Sequence, residues 1–127
     1  MTTVRRLLLV LLGVSALGLG LPPAASSHAY LVRSAPAARA VVGRAPERVQ
    51  LWFNERLEPA YSRLSVWNRD GQRVDAGDVQ VAPTEPTRLS VGVPPLPAGA
   101  YTVKYRVLSV DGHVVQAQFG FTVRGGP

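Results

Sequence analysis

The sequence predicts an all-β domain, an antiparallel β-sandwich or barrel of about six or seven strands, on three observations. Past residue 27, apolar residues recur at every second position, turn-forming residues separate those runs, and no segment keeps a helical apolar stripe for three turns.

The elements follow in chain order. Residues 29–33 offer a first strand. Val49, Leu51 and Phe53 alternate with Arg48, Gln50 and Trp52, and Leu64 and Val66 alternate with Arg63, Ser65 and Trp67. Leu89, Val91 and Val93 make a shorter run. Tyr101, Val103, Tyr105 and Val107 alternate with Thr102, Lys104 and Arg106, and Val115 to Val123 continue the pattern against Gln116, Gln118, Gly120 and Thr122. A period of two sends one set to a core and the other to solvent. Pro36, Pro46, Pro59, Gly77, Pro83, Pro86, the run Pro94-Pro95-Leu96-Pro97 and Gly99 break the runs, and residues 68–72 (NRDGQ) read as a hairpin turn. Short strands at this spacing suit a Greek-key, immunoglobulin-like arrangement. Trp52, Trp67, Tyr101 and Tyr105 are expected to pack rather than to bind a ligand.

The first 27 residues differ in kind. Arg5 and Arg6 precede an apolar run from Leu7 to Leu21, followed by Pro22-Pro23 and small residues, the three parts of a secretory signal peptide. The run is shorter than the ~20 residues of a membrane helix. Ala25 and Ser27 place a cut between Ser27 and His28, although cuts after Ala24 or Ala25 also satisfy the small-residue rule. The expectation is a leader over 1–27 and one domain over 28–127, periplasmic or secreted, monomeric, with no membrane anchor in the mature chain.

Removing the leader takes two of the fourteen basic residues and none of the eight acids, leaving a net charge of +4. The arginines form no run interleaved with aromatics, which argues against nucleic acid as a partner. The absence of cysteine excludes disulfides and thiolate chemistry, so the core alone must hold the fold. No nucleophile motif, zinc spacing or phosphate loop is present, and an enzyme is not expected.

What chemistry remains is concentrated. The chain has two histidines, His28 and His113, and its single methionine is Met1. Residues 109–113 (SVDGH) fall between two strands, where Asp111-Gly112 is an ordinary turn pair. Residues two apart in extended chain point the same way, so Asp111 and His113 can present an oxygen and a nitrogen to one point. A cut before His28 would add a free amine beside its own imidazole, which together close a six-membered chelate ring. Three nitrogens and one oxygen in a square suit one Cu(II) per chain, and copper heads the affinity order of divalent first-row ions. Amine and imidazole must both lose protons, which is easy at neutral pH and not in acid.

The start HAYLVRSAPA, the strand LWFNE at 51–55, the turn VWNRDG and the stretch LPAGAYTVKYRVLSVDGHVVQAQFGFTV at 96–123 resemble the copper resistance protein C (CopC) family across nearly the whole mature chain. The resemblance implies an exported copper-binding β-sandwich that buffers or delivers Cu(II) outside the cytoplasm. It implies His28, Asp111 and His113 as metal ligands, Glu55 as the carboxylate that orients a ligating imidazole, and a copper-importing membrane protein as partner. Some members carry a methionine-rich Cu(I) site, for which this chain has no residues, and others a second histidine where this chain has Tyr30. Two other classes stay open on the residues: an immunoglobulin-like adhesion module with incidental metal residues, and a copper enzyme of the histidine-brace kind. Mass spectrometry of the exported protein tests the adhesion reading first. His28 is the expected first residue, and any other start would remove the chelate.

Overall fold

The computed structural model describes residues 29–125 together with Gly20. The rest of the leader and His28 lie outside the described residues. Eight strands and one short 3-10 turn are described: β1 (Leu31–Ala35), β2 (Val41–Val42), β3 (Arg48–Phe53), the turn Pro59–Tyr61, β4 (Arg63–Trp67), β5 (Gln80–Ala82), β6 (Glu85–Gly92), β7 (Gly99–Leu108) and β8 (Val114–Val123). They form two four-stranded sheets, β1-β3-β6-β5 and β2-β8-β7-β4. Among the described residues no helix is long and apolar enough to cross a membrane.

The two-residue alternation builds the core. Val49, Leu51, Phe53, Leu89 and Val91 from the first sheet meet Leu64, Val66, Val103, Val107, Phe121 and Val123 from the second, all with almost no exposure. Burying each such side chain contributes about 1.5–3 kcal/mol, which lets a domain of this size stand without a disulfide. Tyr101 and Tyr105 belong to this core, Tyr101 stacked on Phe121 and Tyr105 edge-on to Phe53. The two tryptophans pack as expected but on the outer faces. Arg33 lies 3.6 Å over the ring of Trp52, and Lys104 lies 4.9 Å over that of Trp67.

Most pairs are antiparallel, and β2 alone pairs in parallel, with β8. The first strand begins two residues later than expected, because Ala29 and Tyr30 precede the ladder to β3. β6 begins well before Leu89, since Pro86 sits near its start and does not stop it. β2 and β5 are too short for alternation to reveal them. The turn at 68–72 is present. The Asn68 side chain accepts hydrogen bonds from the backbone N–H groups of Asp70 and Gln72, and Gly71 adopts φ 76°, a conformation suited to glycine.

Past that turn the chain folds back beside β4, where the side chain of Asp75 is wholly buried. It accepts from the Val66 N–H (2.8 Å), the Gly77 N–H (2.9 Å) and both Nε and Nη2 of Arg73 (2.8 and 3.0 Å). Burial pushes this carboxyl up, but the bonds from Arg73, Val66 and Gly77 and the arginine charge together hold it below the usual carboxylate range. Its stabilisation is therefore complete above the ordinary carboxylate value near ~3.9 and is lost as pH falls through the lowered native value. Asp75→Ala should cost about 3 kcal/mol in denaturant unfolding at neutral pH, and the difference from the parent should shrink below pH ~3.9.

Candidate metal centre

The long β7–β8 hairpin carries two of the residues that sequence reasoning selected, Asp111 and His113. Leu108 pairs with Val114 at its end, and residues 109–113 make the connection. Ser109 and His113 close it: the Ser109 N–H donates to the His113 carbonyl (2.9 Å) and the Gly112 N–H to the Ser109 carbonyl (2.9 Å). Gly112 takes φ 92°, so a glycine after Asp111 lets the chain turn without strain.

Asp111 and His113 come together. Oδ2 of Asp111 and Nδ1 of His113 are 3.1 Å apart. Both side chains are about one-third exposed, whereas Nδ1 itself is shielded from solvent. Adjacent donors on a square plane with bonds of ~2.0 Å sit about 2.8 Å apart, so the pair needs little movement to grip one ion. Among the described residues no group of three histidine, cysteine or acidic side chains is placed for a metal. His28, the third residue that the sequence analysis selected as a ligand, lies outside the described residues.

Ser109, to which the sequence analysis assigned no role, supports the pair. It is buried, its hydroxyl donates to Oδ1 of Asp111, and the same oxygen accepts from the His113 N–H (3.2 Å). The Ser109 bond, joined by the bonds and charge of His113, holds the Asp111 carboxyl below its usual range against a smaller cost of burial. Asp111 is thus an anion at any pH where an imidazole can bind a metal. The signal for Ser109 was its spacing, two residues before Asp111 and four before His113 in SVDGH.

A second missed residue is Asn54. Its side-chain oxygen accepts from the Tyr30 N–H (2.6 Å) and its own N–H donates to the Tyr30 carbonyl (3.2 Å). Tyr30 follows the buried Ala29, so the described start of the chain is fixed at the end of β3. Two residues on, the Arg56 carbonyl accepts from the Val110 N–H (2.9 Å), Leu57 bridges Ser109, and the Glu58 N–H donates to the Leu108 carbonyl (2.8 Å). Residues 54–58 therefore touch the start of the chain at one end and the hairpin at the other. Glu55 is half-buried between the two contacts.

With this geometry in place, comparison with known proteins is decisive. Residues 31–124 match the CopC domain. This chain belongs to the CopC family. It is similar to copper resistance protein C of Escherichia coli, with 34% identity over 113 residues, covering 84% of this chain and 89% of that protein. The crystal structure of CopC from Methylosinus trichosporium OB3b superposes with a TM-score of 0.72 at 38% identity, covering 77% of this chain and 95% of that one. The copper transport protein CutJ of Bacillus subtilis is 30% identical over 104 residues, 81% of this chain but 19% of CutJ, so this chain spans about a fifth of that relative's length.

The support lent by Ser109 is measurable. In Ser109→Ala, the Asp111 carboxyl should titrate closer to its ordinary value than in the parent, as read by carboxyl-carbon NMR.

Proposed function

We propose that the mature protein binds one Cu(II) per chain outside the cytoplasm and buffers or delivers it, through the amine and imidazole of His28, the Asp111 carboxylate and the His113 imidazole. The observation that carries this reading is the 3.1 Å approach of Asp111 and His113 at a hairpin whose base is tied to the segment that also holds Tyr30. His28 is two residues before Tyr30, one peptide unit of ~3.8 Å from the fixed Ala29. The residues that follow His28 and the hairpin are thus attached to opposite ends of one short backbone bridge. Membership of a family whose relatives are named for copper resistance and copper transport supports the metal assignment.

The donor set decides the oxidation state. Imidazole, amine and carboxylate suit Cu(II), and the mature chain has no cysteine or methionine to offer Cu(I) a soft site. Release then follows by three routes. Acid returns protons to amine and imidazole, reduction removes the preference for nitrogen and oxygen, and a competing partner can displace the ligands one at a time. Asp111 as a fourth ligand would fill the position that oxygen chemistry needs open, which favours storage and transfer over turnover. Glu55, within the bridging segment, serves in this account to orient a ligating imidazole.

Chelator competition tests the assignment. His113→Ala, and separately a one-residue extension before His28, should each weaken Cu(II) by orders of magnitude, while Glu55→Gln should weaken it by about 10- to 100-fold. Binding should weaken as pH falls below neutrality, because acid returns protons to the amine and imidazole ligands. Unchanged affinity in both His113→Ala and the extended protein would remove the site.

A further inference from the structure

The outer faces of the two sheets treat their cations differently. On the first sheet each arginine is engaged: Arg33 stacks on Trp52, Arg48 contacts Asp78 at 3.1 Å, and Arg88 lies 3.3 Å from Glu85 and donates to Gln50. On the second sheet β2, β4, β7 and β8 contain no aspartate or glutamate at all. The inward set of this sheet includes the buried Leu64, Val103 and Tyr105, so the alternate residues Arg63, Lys104 and Arg106 stand on its outer face. Arg63 lies directly across from Arg106, and Lys104 is two residues from Arg106 on the same strand. Lys104 lies over the Trp67 ring, but among the described residues no carboxylate pairs with any of the three. Like charges placed directly across a sheet destabilise it, so this arrangement is a cost to the fold.

The same face is recessed. A depression of about 740 Å³ is lined by Arg63, Lys104 and Arg106, with Gln116 and Gln118 of β8 across from Arg106 and Lys104. We infer that this depression on β4, β7 and β8 is a docking groove for an extended acidic segment of a partner protein. The spacing fits: cations two apart on a strand are ~6.8 Å apart, the same repeat as alternate side chains of an extended peptide. The two glutamine carboxamides supply donors and acceptors for such a segment's polar groups. A concave surface rimmed by cations matches a chain laid along strands better than the broad plane of a lipid surface. The groove runs toward the hairpin end, since Leu108 and Val114, two residues beyond Arg106 and Gln116, close the turn that carries Asp111 and His113. A partner seated here would lie beside that turn.

The test uses the copper-free processed protein with excess chelator, so that its outcome is independent of metal binding. A labelled peptide alternating glutamate and threonine is titrated by fluorescence anisotropy, beside its glutamine–threonine counterpart and vesicles containing anionic phospholipid. The glutamate peptide should bind, should weaken as salt rises, and should lose about five- to tenfold in affinity with Arg63→Gln/Arg106→Gln but not with Arg33→Gln. Arg106→Thr should lower peptide binding while leaving the melting temperature equal or higher, which a purely structural role for Arg106 would not do. No binding of the glutamate peptide, equal binding of the glutamine peptide, equal loss with Arg33→Gln, or stronger binding to the vesicles would each overturn the proposal.

Discussion

The arrangement depends on the backbone of residues 54–58. Past Phe53 the regular ladder to β1 ends, and the Tyr30 N–H would have no strand partner. The Asn54 side chain takes its place as acceptor at 2.6 Å and its backbone returns a bond to the Tyr30 carbonyl. This two-bond exchange fixes where the described start of the chain lies. Arg56, Leu57 and Glu58 make the matching bonds to the β7–β8 hairpin within four residues. Two regions about eighty positions apart in sequence are thereby referred to one rigid strip.

Under the proposed function, that constraint would let a small domain hold an ion without a preformed cage. The hairpin needs only to keep one oxygen and one nitrogen about an ion's width apart, which Ser109 does from below by bonding both Asp111 and the His113 backbone. In the proposed site, donors supplied by His28 would join this half-site. The hard donor set proposed there suits a protein that gives its metal away.

Much of the fold was legible because alternation is a local signal. Val49 to Phe53, Leu64 to Val66, Tyr101 to Val107 and the C-terminal half of β8 show their period in the residues themselves, and the core follows. β2 was hidden because two residues carry no period and its partner, β8, lies far along the chain. Pro86 hid the start of β6 for a different reason, since a proline near the first residue of a strand interrupts no bond that the strand requires. At the site, Asp111 and His113 could be read from their spacing, whereas Asn54 could not. Its role is set by where Tyr30 falls across from it, a fact of pairing between distant segments. The cation face was invisible for the same reason, because Arg63 and Arg106 become neighbours only through the register of β4 with β7.

The most direct measurement is electron paramagnetic resonance of the Cu(II)-loaded processed protein, with nitrogen couplings resolved on uniformly labelled and on histidine-labelled samples. The account predicts a tetragonal centre with three nitrogens, one of which is the terminal amine and vanishes when that amine is acetylated. A centre with two nitrogens or fewer, or one whose spectrum is unchanged by acetylation, would contradict it.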